Sequence, residues 1–180
     1  MFKTYLQTLR LFSRNTWLFL LVSVLTTISY VGIYVMLFNL YLLRLGYGLE
    51  LIGLINAAAQ LGVAAFSIPA GMLGRRWGSR RMIIAGLTVA TAGLALVPLV
   101  EFLPVPWRFD WLLATYIFAW LGGATYVVNS LPFLMGMTDV RERTHVFSLR
   151  EALGPLSLFA GSLLGGLLPG VLVAYLGGTL

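Results

Sequence analysis

The sequence contains no cysteine and very little charge. Only 10% of its 180 residues are charged, whereas 59% are hydrophobic. Without cysteine the chain has neither a disulfide nor a thiolate metal site. A protein surface that faces water carries roughly a quarter charged residues, so most of this surface is expected to face hydrocarbon. The composition therefore predicts an integral membrane protein.

Five long apolar stretches make up most of the chain. Each lacks a charge in its middle and reaches the roughly 20 residues needed to cross a hydrocarbon core of about 30 Å. Backbone groups in lipid must be hydrogen-bonded within the segment, so these stretches predict helices. The predicted fold class is all-α, a polytopic transmembrane helix bundle over residues 17–180. Its helices are predicted at approximately 17–43, 51–73, 82–100, 111–137 and 152–176.

The basic residues are distributed unevenly around these spans. Residues 1–16 form an amphipathic arm with Lys3, Arg10 and Arg14, typical of a helix at the membrane interface. Of the twelve lysines and arginines, all but Arg44 and Arg108 lie on this arm or on the second-to-third and fourth-to-fifth connections. The positive-inside bias then predicts a cytoplasmic N-terminus in the plasma or inner membrane. The expected partner of the +6 net charge is the lipid bilayer, with no nucleic acid.

The segment Gly71-Met-Leu-Gly-Arg-Arg-Trp-Gly-Ser-Arg-Arg81 joins the second and third spans. Its three glycines, Gly71, Gly74 and Gly78, are predicted to allow a tight turn at the membrane surface. The arginines are predicted to hold that turn on the cytoplasmic side. Taken alone, the segment is also compatible with a plain short basic loop.

This segment resembles the loop signature of the major facilitator superfamily, Gly-x-Leu-Ala-Asp-Arg-x-Gly-Arg-Arg. Arg75 stands where the family usually has an aspartate that takes part in gating the cytoplasmic side. Glu142 or Glu151 is a candidate substitute for that carboxylate. The positions that match are Gly71, Leu73, Arg76, Gly78, Arg80 and Arg81.

Further stretches resemble the same family in order and spacing. Residues 40–46 and 52–54 resemble the end of the first helix and the start of the second, and residues 142–149 resemble the cytoplasmic start of the fifth. Gly161-Ser-Leu-Leu-Gly-Gly166 resembles the glycine motif of the fifth helix, with Ser162 where antiporter-type exporters often have proline.

The resemblance implies a carrier of twelve helices in two six-helix halves, with the substrate site between them. This chain is then expected to supply helices one to five, as a truncated fragment whose partner is the missing C-terminal half of the same protein. The expected function is secondary active or facilitative transport of an unknown small molecule by alternating access. The glycine motif suggests efflux of hydrophobic or drug-like compounds. No cofactor and no metal are expected.

Polar residues within the spans are candidates for the substrate cavity, because they are costly in lipid and often functional. Helix–helix hydrogen bonding is the alternative role for each of them. Gly161, Gly165 and Gly166 are expected to let the fifth helix pack closely and slide against the other half, or simply to pack the bundle. The cavity candidates are Tyr30, Tyr34, Asn56, Gln60, Tyr126 and Asn129.

An enzyme and an oligomeric scaffold are the two alternative classes of protein. An enzyme is not expected, because His145 is the only histidine and the spans contain neither paired carboxylates nor a nucleophile beside a base. The alternative to a carrier fragment is a small complete membrane protein that forms an oligomeric scaffold. Its abundant glycine would then serve subunit packing.

Overall fold

The computed structural model describes residues 12–176 and confirms the all-α transmembrane bundle. Five helices are long and apolar enough to cross a membrane, and no strand occurs among the described residues. Residues 1–11 of the predicted interfacial arm lie outside the described part. The helices are α1 (Arg14–Arg44), α2 (Leu49–Trp77), α3 (Ser79–Leu96, continued by a 3-10 turn over Val97–Phe102), α4 (Val105–Met137) and α5 (Val140–Leu176).

Helices α2 and α3 extend further toward the basic segment between them than hydropathy predicts. Helix α2 continues to Trp77, so Gly71 and Gly74 lie inside it, and the prediction that they form the turn was wrong. Only Gly78 turns the chain: its φ of 88° suits glycine, and its N–H donates to the carbonyl of Gly74. Hydropathy marks the hydrocarbon boundary, whereas the arginines beyond it are good helix formers at a helix C-terminus.

The chain divides into two compact units. The first, the α1–α5 unit, contains α1 and α5, and the second, the three-helix unit, contains α2, α3 and α4 within residues 48–136. Helices α1 and α5 thus pack together in the first unit, and α2, α3 and α4 pack together in the second.

In the α1–α5 unit, the middle of α1 has an unusual backbone. Residues Thr27–Tyr34 form a π-helix between two α-helical parts. Gly32 within it is buried and faces Gly161 of α5, so closely that a Cβ on Gly32 would lie 2.5 Å from the Cα of Gly161. Glycine at both positions lets the two backbones touch, which is how transmembrane helices commonly approach each other.

In the three-helix unit, α3 and α4 cross just as closely. A Cβ added at Gly86 would lie 2.7 Å from the carbonyl oxygen of Gly122, and one at Gly93 would lie 2.7 Å from the backbone nitrogen of Ala119. At the end of α3, the indole N–H of Trp111 donates to the carbonyl of Leu96 at 2.9 Å. Small residues thus set the distance between α3 and α4, and one indole hydrogen bond joins the two helices at the end of α3.

Candidate functional site: polar contacts along α2 and α4

Asn129 joins α4 to α2 in the three-helix unit. Its side chain is 2% exposed, and its amide nitrogen donates to the carbonyls of Ala70, at 3.2 Å, and Thr125, at 2.9 Å. The amide lies directly over Gly74, where a Cβ would overlap the Asn129 oxygen. Asn129 therefore occupies a notch that the glycine of α2 leaves open.

A second polar contact joins the same helices nearer their other ends. The hydroxyl of Tyr116 donates to the side-chain oxygen of Asn56 at 3.1 Å, and the Asn56 amide donates to the carbonyl of Ile52 at 2.9 Å. Tyr116 is fully buried, with its ring edge-on to Trp120. Hydropathy gave no signal for this pairing, because the two partners lie 60 residues apart.

Replacing Tyr116 with phenylalanine removes this hydrogen bond and keeps the ring. We expect the free energy of unfolding in detergent to fall by about 0.6 kcal/mol, the average for hydrogen bonds between transmembrane helices. Tyr175→Phe is the matched control, since Tyr175 is 86% exposed, and it should leave stability unchanged. A Tyr116→Phe protein as stable as the control would show that the bond contributes nothing.

Gln60 differs from these residues because it is exposed. It lies roughly 16 Å along α2 from Leu49, near the middle of the span, and no hydrogen bond joins it to a described residue. Gly53, Ala57 and Ala64 share its helical stripe and are also exposed. The structure thus leaves one unbonded polar group at mid-membrane depth within a stripe of small residues.

The remaining cavity candidates lie in different parts of the chain. Tyr126 is 7% exposed in α4. Tyr30 and Tyr34 are half-buried in α1, where the Tyr34 ring stacks on Phe38 at 6.2 Å between centroids. Tyr30 and Tyr34 thus belong to the α1–α5 unit, and the other candidates belong to the three-helix unit. A role for any of them in binding substrate stays a prediction.

The basic segment forms one end of the three-helix unit. Arg75 and Arg76 lie on the last turn of α2, Arg80 and Arg81 lie on the first turn of α3, and all four are exposed. Leu73 is half-buried. A Cβ on Gly71 would only touch Val128, at 3.4 Å. Of the residues that match the family's loop signature, Gly71 and Leu73 therefore lie at helix-packing positions, and the arginines form a charged surface.

No carboxylate of the three-helix unit lies near these arginines along the helices. Glu50 lies in the first turn of α2, roughly 37 Å from Arg75 at 1.5 Å per residue. Glu101 lies in the 3-10 turn that continues α3, and Asp110 lies near the start of α4. In the α1–α5 unit, Arg150 forms an ion pair with Glu151 at 3.1 Å. Glu151, a proposed substitute for the missing motif acid, thus pairs with its own neighbour.

The glycine motif of α5 faces α1. A Cβ on Gly161 would lie 2.6 Å from the carbonyl oxygen of Ile28, and one on Gly165 would lie 3.2 Å from the Cα of Ile33. Gly166 approaches the methyl group of Met36. These glycines thus pack against α1, and a sliding contact of the same helix with the other half of a carrier stays a prediction.

The comparisons with known proteins agree with this architecture. The family described as Major Facilitator Superfamily matches residues 18–178. The match includes α2 to α5 and all of α1 after Trp17. The comparison with curated proteins found no match, and neither did the comparison with solved structures. Within residues 12–176, no group of three or more metal-ligating side chains is assembled.

Proposed function

Because this chain belongs to the major facilitator superfamily, whose members are transporters, we propose that it moves a small molecule across the membrane by alternating access. In such carriers two halves rock about a site near the bilayer midplane. We propose that α1 to α5 are the first five helices of one half, and that the second half comes from further sequence of the same protein.

Gln60 is the observation that carries this proposal. An unbonded amide in mid-membrane is costly against hydrocarbon, so it is expected to face a water-filled cavity or another protein segment. The small residues on its stripe, Gly53, Ala57 and Ala64, allow a further helix to approach closely. A carrier supplies both the cavity and the further helix, since its second half packs against the first around a polar cavity.

We propose that the transported compounds are hydrophobic or drug-like and that they are exported. The glycine motif Gly161–Gly166 supports export through its resemblance to the exporter motif. The substrate class agrees with the aromatic candidates Tyr30, Tyr34 and Tyr126, which offer flat apolar surfaces with one polar atom each.

Transport of ethidium by the full-length protein in proteoliposomes tests the role of Gln60. We expect Gln60→Ala to lower kcat/KM by about tenfold, the effect of losing one or two hydrogen bonds to a ligand. Leu61→Ala is the matched control, because Leu61 is the next residue and is 71% exposed. Equal flux through the two variants would show that Gln60 is not part of the substrate site. Flux no higher than in empty liposomes would show that ethidium is not a substrate.

The size of the native product tests the two-half architecture. An antibody to residues 1–16, applied to membranes of the source cells, should detect a protein of roughly 400 residues, as two six-helix halves imply. A product near the 19.8 kDa of this chain would contradict the proposal. A defined oligomer of that product would instead favour a membrane scaffold.

The proposed orientation, with the arginine end of the three-helix unit in the cytoplasm, is testable because the chain has no cysteine. Phe102→Cys and Thr144→Cys each place one exposed thiol at a span end. We expect a membrane-impermeant maleimide to label Phe102→Cys in intact cells, and Thr144→Cys only after permeabilisation, because the basic connections stay inside. The reverse pattern would invert the topology.

A further inference from the structure

A groove runs along the three-helix unit beside the arginine end. It has a volume of about 240 Å³ and an almost wholly apolar lining. Its floor lies where Gly86 meets Gly122, so no side chain fills it there. The walls include Met82, Ala85 and Val89 of α3, with Phe66 of α2 and Phe118 of α4. We call this the α3–α4 groove.

The groove begins where the charged surface ends. Met82 follows Arg81 directly, and Ala85 lies one helical turn beyond Arg81 on the same face of α3. From Met82 to Val89 the α3 wall is roughly 10 Å long at 1.5 Å per residue. The exposed Arg81 therefore lies within one helical turn of the α3–α4 groove, on the same face of α3.

We propose that this region binds an anionic phospholipid, with the headgroup phosphate on Arg81 and one acyl chain in the α3–α4 groove. Arginine is suited to phosphate because its planar fork offers several N–H donors. Arg80 adds a second exposed positive charge on the same turn, and the carboxylates of the three-helix unit all lie at its other end. The charge at the mouth and the apolar interior match the two parts of a single lipid molecule.

A further protein helix fits the groove less well than an acyl chain. A helix with its side chains is about 10–12 Å across, so a groove of about 240 Å³ could take no more than a few of its side chains. A helix would also leave the arginines without a negative partner. Arg75 strengthens the preference for an anion, because it adds positive charge where the resembling family signature has an acid.

Native mass spectrometry of the full-length protein in detergent, titrated with phosphatidylglycerol or phosphatidylcholine of equal chain length, tests the proposal. We expect phosphatidylglycerol to bind more tightly. Arg81→Gln should raise its dissociation constant about fivefold, the effect of removing one basic charge near an anionic headgroup. Arg44→Gln, an exposed arginine in the α1–α5 unit, is the matched control and should have no effect.

The acyl-chain part is tested separately by filling the groove. Ala85→Phe should weaken both lipids about equally, because it occupies the channel and leaves the charge intact. Ala95→Phe makes the same change at an exposed position about 15 Å further along α3, and it should bind both lipids as the wild type does. Equal binding of the two lipids by wild type would overturn the headgroup assignment, and unchanged binding by Ala85→Phe would overturn the groove. Neither outcome bears on transport, because no flux is measured.

Discussion

Gly161→Ala is expected to destabilise the protein by roughly 1–3 kcal/mol, the usual cost of overpacking a tight core. The new Cβ would lie 2.6 Å from the carbonyl oxygen of Ile28 and 2.9 Å from the Cα of Gly32. Both are backbone atoms, so relief requires α1 and α5 to separate rather than one side chain to turn. Thermal unfolding of the purified protein in detergent measures the loss.

Gly154→Ala provides the control for this prediction. Gly154 lies on the same helix, but no atom lies within 4 Å of the position its Cβ would take. Alanine is about 1 kcal/mol better than glycine inside a helix, so this variant should be as stable as the wild type or slightly more so. Equal midpoints for the two variants would mean that α1 and α5 do not meet at Gly161.

Gly74→Ala is expected to destabilise the three-helix unit through its contact with Asn129. Its Cβ would overlap the side-chain oxygen of Asn129, a buried group that α4 and the carbonyl of Ala70 hold in place. Displacing the amide breaks the hydrogen bond between α2 and α4 and leaves a buried polar group without its partner, which costs about 1–3 kcal/mol. Gly136→Ala, in α4 of the same unit with open space around it, should be neutral.

A second substitution tests whether the contact with Asn129 causes the destabilisation by Gly74→Ala. Asn129→Ala removes the amide that the new methyl group meets, so Gly74→Ala combined with Asn129→Ala should be less destabilised than the sum of the two single changes. Neighbours that share a contact commonly show interaction energies of about 0.5–3 kcal/mol. Strict additivity in the double variant would separate Gly74 from Asn129 and refute the contact.

The membrane-spanning architecture could be predicted from the sequence because the bilayer imposes it. Length, low charge and the need to bond every backbone group leave helices as the only solution for the five apolar runs. The connection between α2 and α3 could not be predicted to the residue. Gly71 and Gly74 look like turn glycines in the sequence, yet they are packing positions, and only Gly78 has the backbone conformation that a turn requires.

The polar contacts were harder to predict than the spans. The sequence places Asn56 and Gln60 in the same span, but it does not say which helix each side chain meets. Asn56 meets Tyr116 and Asn129 meets Ala70, across 60 and 59 residues of sequence. Such contacts depend on how the helices are arranged in three dimensions. The neighbour of Gly161 was open for the same reason, since a glycine stripe predicts a close neighbouring helix without identifying it.

The separation of charge along the three-helix unit has an electrical consequence. Four arginines lie at one end of this unit, and its three carboxylates lie with Arg108 at the other. Moving one elementary charge across 100 mV is worth about 2.3 kcal/mol. When the arginine end lies inside a cell whose interior is negative, the membrane potential stabilises the four positive charges there. Relative to the inverted orientation, this stabilisation is roughly 9 kcal/mol per 100 mV. An energised membrane thus helps to hold the protein in the orientation in which we propose it works.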